Sequence, residues 1–274
     1  MKKIIMLILL VVLLIPIKVN GLSVSSRNAI LMDQDSGRIL YGKKINDKHL
    51  IASITKIMTA ILAIESNKLN DTVKVGEEVF SSYGSNIYVE FNEEMNLLDL
   101  VYGLMLKSGN DAAMVIAKYV GGSEEKFVIM MNNKAKEVGM TNTIFANSHG
   151  LDEVAENYST AYDMAKLMSY AMTNKTFKKI VGTKKHMVKT NYKTYDWINK
   201  NKLLFSYKYA TGGKTGYTER ANKTLVTTAT KNKLNLVAVT LNDGNQYETH
   251  QNLFEYGFNT YNNYLIINNL ECRN

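Results

Sequence analysis

Ser53 and Lys56 stand three positions apart in residues 52–60, where apolar residues recur at helical spacing. Residues three apart lie on one face of a helix, so a helix that begins near Ser53 places its hydroxyl beside the Lys56 amine. The unpaired N–H groups and the positive dipole at the start of a helix disfavour a nearby cation. A lysine that loses its proton there can serve as the base for a serine nucleophile, without a histidine.

The spacing alone does not identify a nucleophile, because Ser123 and Lys126 repeat it. Ser123 follows two glycines and precedes two glutamates, a pattern typical of the N-cap of a helix. Capping is also the commoner role for a serine in the position of Ser53. A catalytic interpretation of Ser53 therefore needs partners elsewhere in the chain.

A second motif, Ser108-Gly109-Asn110, supplies two such partners. The Ser108 hydroxyl could pass a proton between Lys56 and a leaving amine. The Asn110 side chain could hold an amide group of a substrate. The motif follows a helical pattern directly, so we expect it in a turn between two helices.

A third motif, Lys214-Thr215-Gly216, stands near the strands of the C-terminal part. The Lys214 cation and the Thr215 hydroxyl suit a substrate carboxylate, and Gly216 lets a strand edge approach a ligand. The backbone N–H groups of Ser53 and Tyr217 could then form an oxyanion hole. The third motif therefore predicts a substrate-binding strand edge.

Periodicity places the three motifs in one α+β unit. Residues 29–32 and 38–41 predict a β-hairpin, and residues 224–230 and 234–241 predict paired strands. Helical patterns cover residues 53–65, 97–105, 111–120, 123–138, 159–172 and 248–264. Strands at both ends of the chain predict an antiparallel sheet made from both termini, flanked by helices and carrying an inserted helical lobe.

The N-terminal residues have the pattern of a secretory signal peptide. Lys2 and Lys3 precede an unbroken apolar run over residues 4–15, and residues 19–21 suit cleavage. We expect a signal peptide over residues 1–21, cleaved near Gly21, with a retained N-terminal anchor as the alternative. Both predict an exported, extracytoplasmic protein with one catalytic domain over residues 22–274. The single cysteine excludes an intrachain disulfide.

Positive charge is concentrated in one stretch. The formal net charge of +8 falls to +5 without Lys2, Lys3 and Lys18. Residues 175–202 hold nine lysines and one acid, Asp196, which is a local net charge of +8. On an exported protein this basic strip indicates peripheral contact with an anionic wall polymer or membrane surface, with an ordinary solvated face as the alternative. Nucleic acid is not an expected partner outside the cell.

In this order, the three motifs resemble the set found in class A β-lactamases and penicillin-binding proteins. The sequence around them is similar to the low-molecular-mass penicillin-binding proteins that act as serine-type D-Ala-D-Ala carboxypeptidases. The similar stretches are residues 53–60, 102–113, 147–151, 213–218 and 254–258. The resemblance extends over roughly residues 27–260 and implies a β-lactamase/transpeptidase-like fold.

The resemblance implies a role for each motif. Ser53 attacks the penultimate D-Ala carbonyl of a peptidoglycan stem peptide that ends in D-Ala-D-Ala, Lys56 is the base, and Ser108 shuttles the proton. Lys214 receives the terminal carboxylate, and water then releases the acyl group. β-Lactams acylate Ser53 as substrate mimics. The resemblance implies neither a metal nor an organic cofactor.

Two alternative functions stay open. A class A β-lactamase needs a glutamate between the second and third motifs; Glu153 and Glu156 lie there, but outside a Glu-x-x-Leu-Asn pattern. A non-catalytic wall-binding module could keep the same fold, although the catalytic side chains are all present. Residues 219–223 are more polar than is typical of the family. The chain also ends about ten residues after the closing helix, so we expect no C-terminal β domain and no amphipathic membrane helix.

Overall fold

The structure is a computed structural model that describes residues 22–261. The predicted signal segment and Cys272 lie outside the described residues. Within residues 22–261, no helix has both the length and the apolar character that crossing a membrane requires.

The strands are short except in the C-terminal part of the chain. They are β1 (Asn28–Asp33), β2 (Ile39–Lys43), β3 (His49–Leu50), β4 (Thr72–Lys74), β5 (Glu94–Asn96), β6 (Tyr158–Ser159), β7 (Lys185–Lys189), β8 (Thr194–Ile198), β9 (Ala210–Thr218), β10 (Asn222–Lys231) and β11 (Leu234–Leu241). Five of them form an antiparallel sheet in the order β2-β1-β11-β10-β9. The small pairs are β3 with β6, β4 with β5, and β7 with β8. The sheet therefore joins both ends of the described chain, as the sequence predicts.

Most of the helices lie between β2 and β9 in the chain, and the last one follows β11. They are α1 (Lys56–Glu65), α2 (Leu97–Leu106), α3 (Asn110–Gly121), α4 (Glu124–Glu137), α5 (Ala161–Thr173), α6 (Lys175–Gly182), α7 (Leu203–Ser206) and α8 (Gln246–Thr260). Two 3₁₀ turns cover Ala52–Thr55 and Glu77–Ser81. The side chains of Asn96, Ser123 and Thr160 accept hydrogen bonds from N–H groups in the first turns of α2, α4 and α5. Ser123 is thus an N-cap, as predicted, and these caps fix where each helix begins.

The central sheet is covered on both faces. Ile30 and Met32 belong to the larger core, which the sheet shares with the helical lobe. Leu31, between them, belongs to a second cluster with Leu253 and Phe254 of α8. Successive side chains of a strand point to opposite faces, so β1 contributes to both layers. This three-layer packing fixes β9, the edge strand, against the lobe that carries the other two motifs.

The structure departs from the sequence-based expectations in two places. The α-helix begins at Lys56 rather than Ser53, because Ala52–Thr55 forms a 3₁₀ turn that leads directly into it. The basic strip contains α6 and the β7–β8 hairpin, which the lysine-rich sequence did not predict. Neither departure separates Ser53 from Lys56.

Candidate active site

Lys56 lies at the centre of a set of polar contacts. Its Nζ donates hydrogen bonds to Ser53 Oγ at 3.0 Å, to Asn110 Oδ1 at 2.7 Å and to the His149 carbonyl oxygen at 2.5 Å. The Lys56 side chain is inaccessible to solvent. The structure thus brings the first two motifs together through one buried amine.

Burial is the main cause of the altered pKa of the Lys56 amine. It lowers the pKa of the Lys56 amine well below the usual lysine value, and the charges of Lys214 and Lys200 lower it further, while Asp111 opposes them. Burial is thus a larger cause of the lowered pKa than the helix dipole considered from sequence. Because the lowered pKa makes loss of a proton easier, the deprotonated amine, 3.0 Å from the Ser53 hydroxyl, can accept the proton of that hydroxyl.

The backbone near Ser53 and Ser108 has an unusual conformation. Ala52, which precedes the nucleophile, has a φ of 49°, and Ser108 has a φ of 66°. Non-glycine residues rarely adopt such angles, and they concentrate at sites where the surrounding structure holds them for function. A Cβ at Gly150 would overlap the Ala52 carbonyl oxygen. The 147–151 loop therefore lies against the turn that carries Ser53.

Asn157 and Asn147 hold this loop in place. Asn157 Nδ2 donates to Thr55 Oγ1 at 2.9 Å and to the Asn147 carbonyl oxygen at 3.0 Å, and its Oδ1 accepts from the Asn147 N–H at 3.1 Å. Asn147 Oδ1 accepts from the Gly150 N–H at 2.6 Å. These contacts fix the His149 carbonyl that binds Lys56. The sequence resemblance included residues 147–151, but no residue type there signalled a role for the backbone.

His149 acts through its backbone rather than its ring. Its Nδ1 accepts a hydrogen bond from the Leu151 N–H at 3.1 Å. Burial, aided by the Lys56 charge, lowers the pKa of the imidazole to about 3. The ring is therefore neutral over the physiological pH range and serves the loop.

The second motif lies in the turn between α2 and α3. Ser108 Oγ accepts a hydrogen bond from Lys214 Nζ at 3.0 Å. Asn110 begins α3; its Oδ1 faces Lys56, and its Nδ2 donates to the Tyr83 carbonyl oxygen at 2.6 Å. Both groups of the Asn110 amide are thus engaged within the protein, so a substrate amide can reach it only by sharing them.

The third motif lies on the edge strand β9. Lys214 is buried, and its Nζ also donates to the Thr215 carbonyl oxygen at 2.7 Å. Burial, and secondarily the Lys200 charge, lowers the pKa of Lys214 to about 7. A Cβ placed on Gly216 would lie 2.9 Å from the backbone nitrogen of Ser53. The absence of a side chain at Gly216 therefore lets β9 approach the nucleophile closely.

A cleft of about 420 Å³ opens where the three motifs meet. Its lining residues are Ser53, Ser85, Ser108, Lys200, Thr215, Gly216, Tyr217, Lys223, Gln246 and Tyr247. The Tyr217 side chain is largely exposed at this cleft. A second cavity, of about 340 Å³, lies at the β1–β2 turn and contains no motif residue. The chemistry therefore belongs to the larger cleft.

Lys200 is a cleft residue that the sequence analysis did not single out. Its Nζ donates to Ser85 Oγ at 3.1 Å. Burial, aided by the Lys107 charge, lowers the pKa of Lys200. Its position at the end of the basic strip was the available signal, but nine lysines in one stretch gave no means of choosing among them. Lys200 and Lys223 therefore line the cleft in addition to the buried Lys56 and Lys214 behind it.

The polar stretch over residues 219–223 contacts residues 152–156 through the side chain of Arg220. Arg220 donates to the Asp152 carbonyl oxygen at 2.7 Å and forms an ion pair with Glu156. Glu153 hydrogen-bonds the hydroxyl of Tyr83, which raises the pKa of that tyrosine to about 12. Both glutamates considered for a β-lactamase are therefore engaged with residues other than Ser53 and Lys56.

Comparison with known sequences finds bacterial D-alanyl-D-alanine carboxypeptidases. The chain is 37% identical over 228 residues to the D-alanyl-D-alanine carboxypeptidase DacF of Bacillus subtilis, a match that covers 81% of this chain and 58% of DacF. It is 36% identical over 228 residues to the D-alanyl-D-alanine carboxypeptidase of Streptomyces sp. strain K15, covering 77% of this chain and 78% of that protein. The chain thus spans about three fifths of DacF and most of the Streptomyces protein.

Solved structures agree with this relationship. The D-alanyl-D-alanine carboxypeptidase of Mycobacterium tuberculosis H37Rv superimposes with a TM-score of 0.83 at 30% identity, covering 87% of this chain and 93% of that chain. The Streptomyces K15 DD-transpeptidase gives a TM-score of 0.82 at 30% identity, with coverages of 86% and 98%. These neighbours confirm the α+β, transpeptidase-like fold that the resemblance implies.

The comparison with protein families covers all three motifs. The sequence model of peptidase family S11, described as D-alanyl-D-alanine carboxypeptidase, matches residues 16–245. That range includes Ser53, Ser108 and Lys214, which the fold brings to one cleft. The chain belongs to the D-alanyl-D-alanine carboxypeptidase family of serine peptidases.

Proposed function

We propose that this protein is a serine-type D-Ala-D-Ala carboxypeptidase that removes the terminal D-alanine from peptidoglycan stem peptides, and that β-lactams acylate the same serine. The observation that carries the proposal is the contact between the buried Lys56 amine and the Ser53 hydroxyl at 3.0 Å. The proposal includes export of the protein to the outer side of the membrane.

Acylation begins with proton transfer from Ser53 Oγ to Lys56 Nζ as the oxygen attacks the penultimate D-Ala carbonyl. The N–H groups of Ser53 and Tyr217 stabilise the oxyanion, and the close approach of Gly216 to Ser53 supports this arrangement. Collapse of the tetrahedral intermediate expels D-alanine. Ser108 passes the proton from Lys56 to the leaving amine.

The substrate carboxylate is recognised by the cations beyond the nucleophile. Lys214 and Thr215 are adjacent on β9, and Lys200 lines the same cleft. A carboxylate bound between the buried Lys214 ammonium and the more accessible Lys200 ammonium forms charge-assisted hydrogen bonds. Since a carboxylate favours the protonated form of Lys214, its binding raises the lowered pKa of that lysine.

Deacylation returns the enzyme to its starting state. Water attacks the ester carbonyl of the acyl-enzyme as its proton passes to Lys56. Collapse of the tetrahedral intermediate breaks the bond to Ser53 Oγ, which takes the proton back from Lys56, and the shortened peptide leaves. Glu153 and Glu156 have other partners, so neither is assigned to activate this water. A penicilloyl adduct on Ser53 is therefore expected to persist. This persistence is the property that distinguishes the proposal from a class A-like β-lactamase, which turns penicillin over rapidly.

Release of D-alanine from a peptide that ends in D-Ala-D-Ala tests the proposal. The wild-type protein should release D-alanine, and Ser53→Ala should abolish release while keeping the same thermal unfolding midpoint within a few degrees. Ser123→Ala, which alters the other Ser-x-x-Lys pattern, is the matched control and should remain active. Retained activity in Ser53→Ala would refute the assignment. A folded wild-type protein that neither releases D-alanine nor reacts with fluorescent penicillin would favour the non-catalytic wall-binding module.

A further inference from the structure

The β7–β8 hairpin has one face against the protein and one face exposed. Val188, Tyr195 and Trp197 are buried on the inner face. His186 stacks on Tyr102 of α2, with ring centroids 3.7 Å apart. Because side chains alternate across a strand, the residues between these anchors project away from the protein.

The exposed face mixes large apolar side chains with lysines. The register pairs Lys185 with Ile198 and Met187 with Asp196. Met187 is 64% exposed and Ile198 is 57% exposed. Along β7, Lys185 and Lys189 stand on either side of Met187 and are also exposed. Lys185 forms an ion pair with Asp196 at 2.9 Å, so the apolar side chains of this face are bordered by lysines and by one carboxylate.

A third exposed apolar side chain lies close to the start of the hairpin. Phe205 of α7 is 52% exposed, and the Lys184 ammonium lies 5.6 Å from the centre of its ring. Lys184 immediately precedes β7. We call the surface formed by Lys184, Lys185, Met187, Lys189, Ile198 and Phe205 the hairpin face.

We propose that the hairpin face docks on the surface of an anionic phospholipid bilayer. The inference rests on the proposed export of the protein, but not on its peptidase activity. A single exposed apolar residue needs no explanation, but three of them bordered by lysines form the pattern of an interfacial anchor, in which apolar groups enter the headgroup–acyl boundary and cations contact anionic lipids. A soluble anionic polymer would use the lysines and leave Met187, Ile198 and Phe205 in water.

Docking at this face has a consequence for the cleft. The inner face of the hairpin packs on α2, which ends just before Ser108. Lys200, two residues after β8, lines the cleft itself. A bilayer that holds the hairpin would therefore hold the catalytic cleft at a fixed position near the membrane surface.

A local probe separates hairpin docking from any membrane contact that another segment makes. The full chain with Cys272→Ser would carry a polarity-sensitive fluorophore at Met187→Cys or, as the control, at Ile129→Cys. Ile129 lies on α4 and is 60% exposed, which matches Met187. With phosphatidylglycerol-containing vesicles, emission from position 187 should shift to the blue, and emission from position 129 should not. No shift at position 187, or an equal shift at both positions, would overturn the proposal.

A second experiment distinguishes the bilayer from an anionic polymer. Vesicle co-sedimentation of Lys185→Gln/Lys189→Gln should show about a fivefold loss of affinity for each lysine removed. Met187→Ser/Ile198→Ser should also weaken vesicle binding, by at least tenfold, without weakening binding to poly(glycerol phosphate). The controls Lys126→Gln/Lys136→Gln and Ile129→Ser/Ile144→Ser should bind like the wild type. The proposal would be contradicted if Met187→Ser/Ile198→Ser bound vesicles like the wild type. It would also be contradicted if the control variants weakened vesicle binding equally.

All of these variants should keep the penicillin acylation rate of the wild type, because none of the altered side chains lines the cleft. A protein that docks but does not release D-alanine would contradict the proposed function alone. A protein that releases D-alanine but does not dock would contradict the hairpin proposal alone.

Discussion

The Nζ of Lys56 lies 3.0 Å from the Oγ of Ser53. The same amine also contacts Oδ1 of the buried Asn110 and the backbone carbonyl of His149. The lysine therefore has hydrogen-bond acceptors on several sides while lacking a contacting carboxylate. The acceptors position the amine, while burial and the charges of Lys214 and Lys200 keep its pKa well below the usual lysine value. This combination is what makes the serine a candidate nucleophile.

Replacement of Lys214 by methionine should stabilise the folded protein while weakening its binding of the substrate carboxylate. The folded pKa of Lys214 is about 7, below the ordinary lysine value of 10.5, because the ammonium is buried. Below pH 7 the folded chain carries the full cost of burying the charge, on the order of a few kcal/mol. Between pH 7 and 10.5 the unfolded chain binds more protons, so the wild-type free energy of unfolding rises with pH.

Urea unfolding at several pH values measures this effect. Lys214→Met should exceed the wild type in stability below pH 7, and the difference should shrink as the pH approaches 10.5. Lys223→Met, which replaces an exposed lysine on the neighbouring strand, is the control and should change little. A stability difference that does not depend on pH would show that the burial of charge is not its cause.

Replacement of Lys200 by glutamine should move the acid limb of the pH–rate profile. The Lys200 charge lowers the pKa values of both Lys56 and Lys214. Its removal raises both, so a higher pH is needed to deprotonate Lys56. The measurement is the rate of penicillin acylation against pH. Lys202→Gln, two residues away and exposed, should keep the wild-type profile, and an unchanged profile in Lys200→Gln would contradict the assigned coupling.

An alanine at position 216 should slow acylation about 100-fold, the cost of one misplaced oxyanion donor. Its Cβ would lie 2.9 Å from the Ser53 nitrogen and 3.1 Å from the Ile54 nitrogen, so β9 must move away from the nucleophile. Stopped-flow acylation by a chromogenic cephalosporin measures the rate. Gly244→Ala, with nothing within 4 Å of the added Cβ, should be nearly neutral. Equal rates for the two variants would rule out this close approach as a requirement.

Replacement of Asn157 by alanine should lower both stability and acylation. The buried amide joins Thr55 to the loop that presents the His149 carbonyl to Lys56. Each buried group left without a partner costs about 1–3 kcal/mol. Asn132→Ala removes an amide that bonds the Phe145 backbone, two residues before the same loop.

The two asparagine variants separate positioning from general stability. Both should lower the melting temperature, but only Asn157→Ala should also reduce the acylation rate, by at least tenfold, when assayed below both melting temperatures. If Asn132→Ala loses as much activity at equal stability, Asn157 has no special part in positioning Lys56.

Features that depend on residue type and on short spacing could be predicted from the sequence. Helical periodicity brought Ser53 and Lys56 together, and the structure has them in hydrogen-bond contact. Alternating and β-branched residues predicted paired strands over residues 224–230 and 234–241, and the structure has β10 and β11 paired there. The Ser123 cap was recognised because its neighbours, two glycines and two glutamates, are diagnostic of a helix start.

The features of the site and fold that the sequence did not predict depend on tertiary contacts. The carbonyl that binds Lys56 belongs to His149, 93 residues away, and a backbone group has no residue type to read. Lys200 is one of nine similar lysines, and only folding separates it from the rest. The β7–β8 hairpin was missed because lysines interrupt its alternation, and its inner face is defined by packing against α2.

Mass spectrometry after incubation with benzylpenicillin can identify the acylated residue, which we expect to be Ser53. One penicilloyl adduct should be found on the peptide that contains Ser53, and it should be absent from Ser53→Ala. An adduct on any other residue, or an equal adduct in the alanine variant, would contradict the assignment of Ser53.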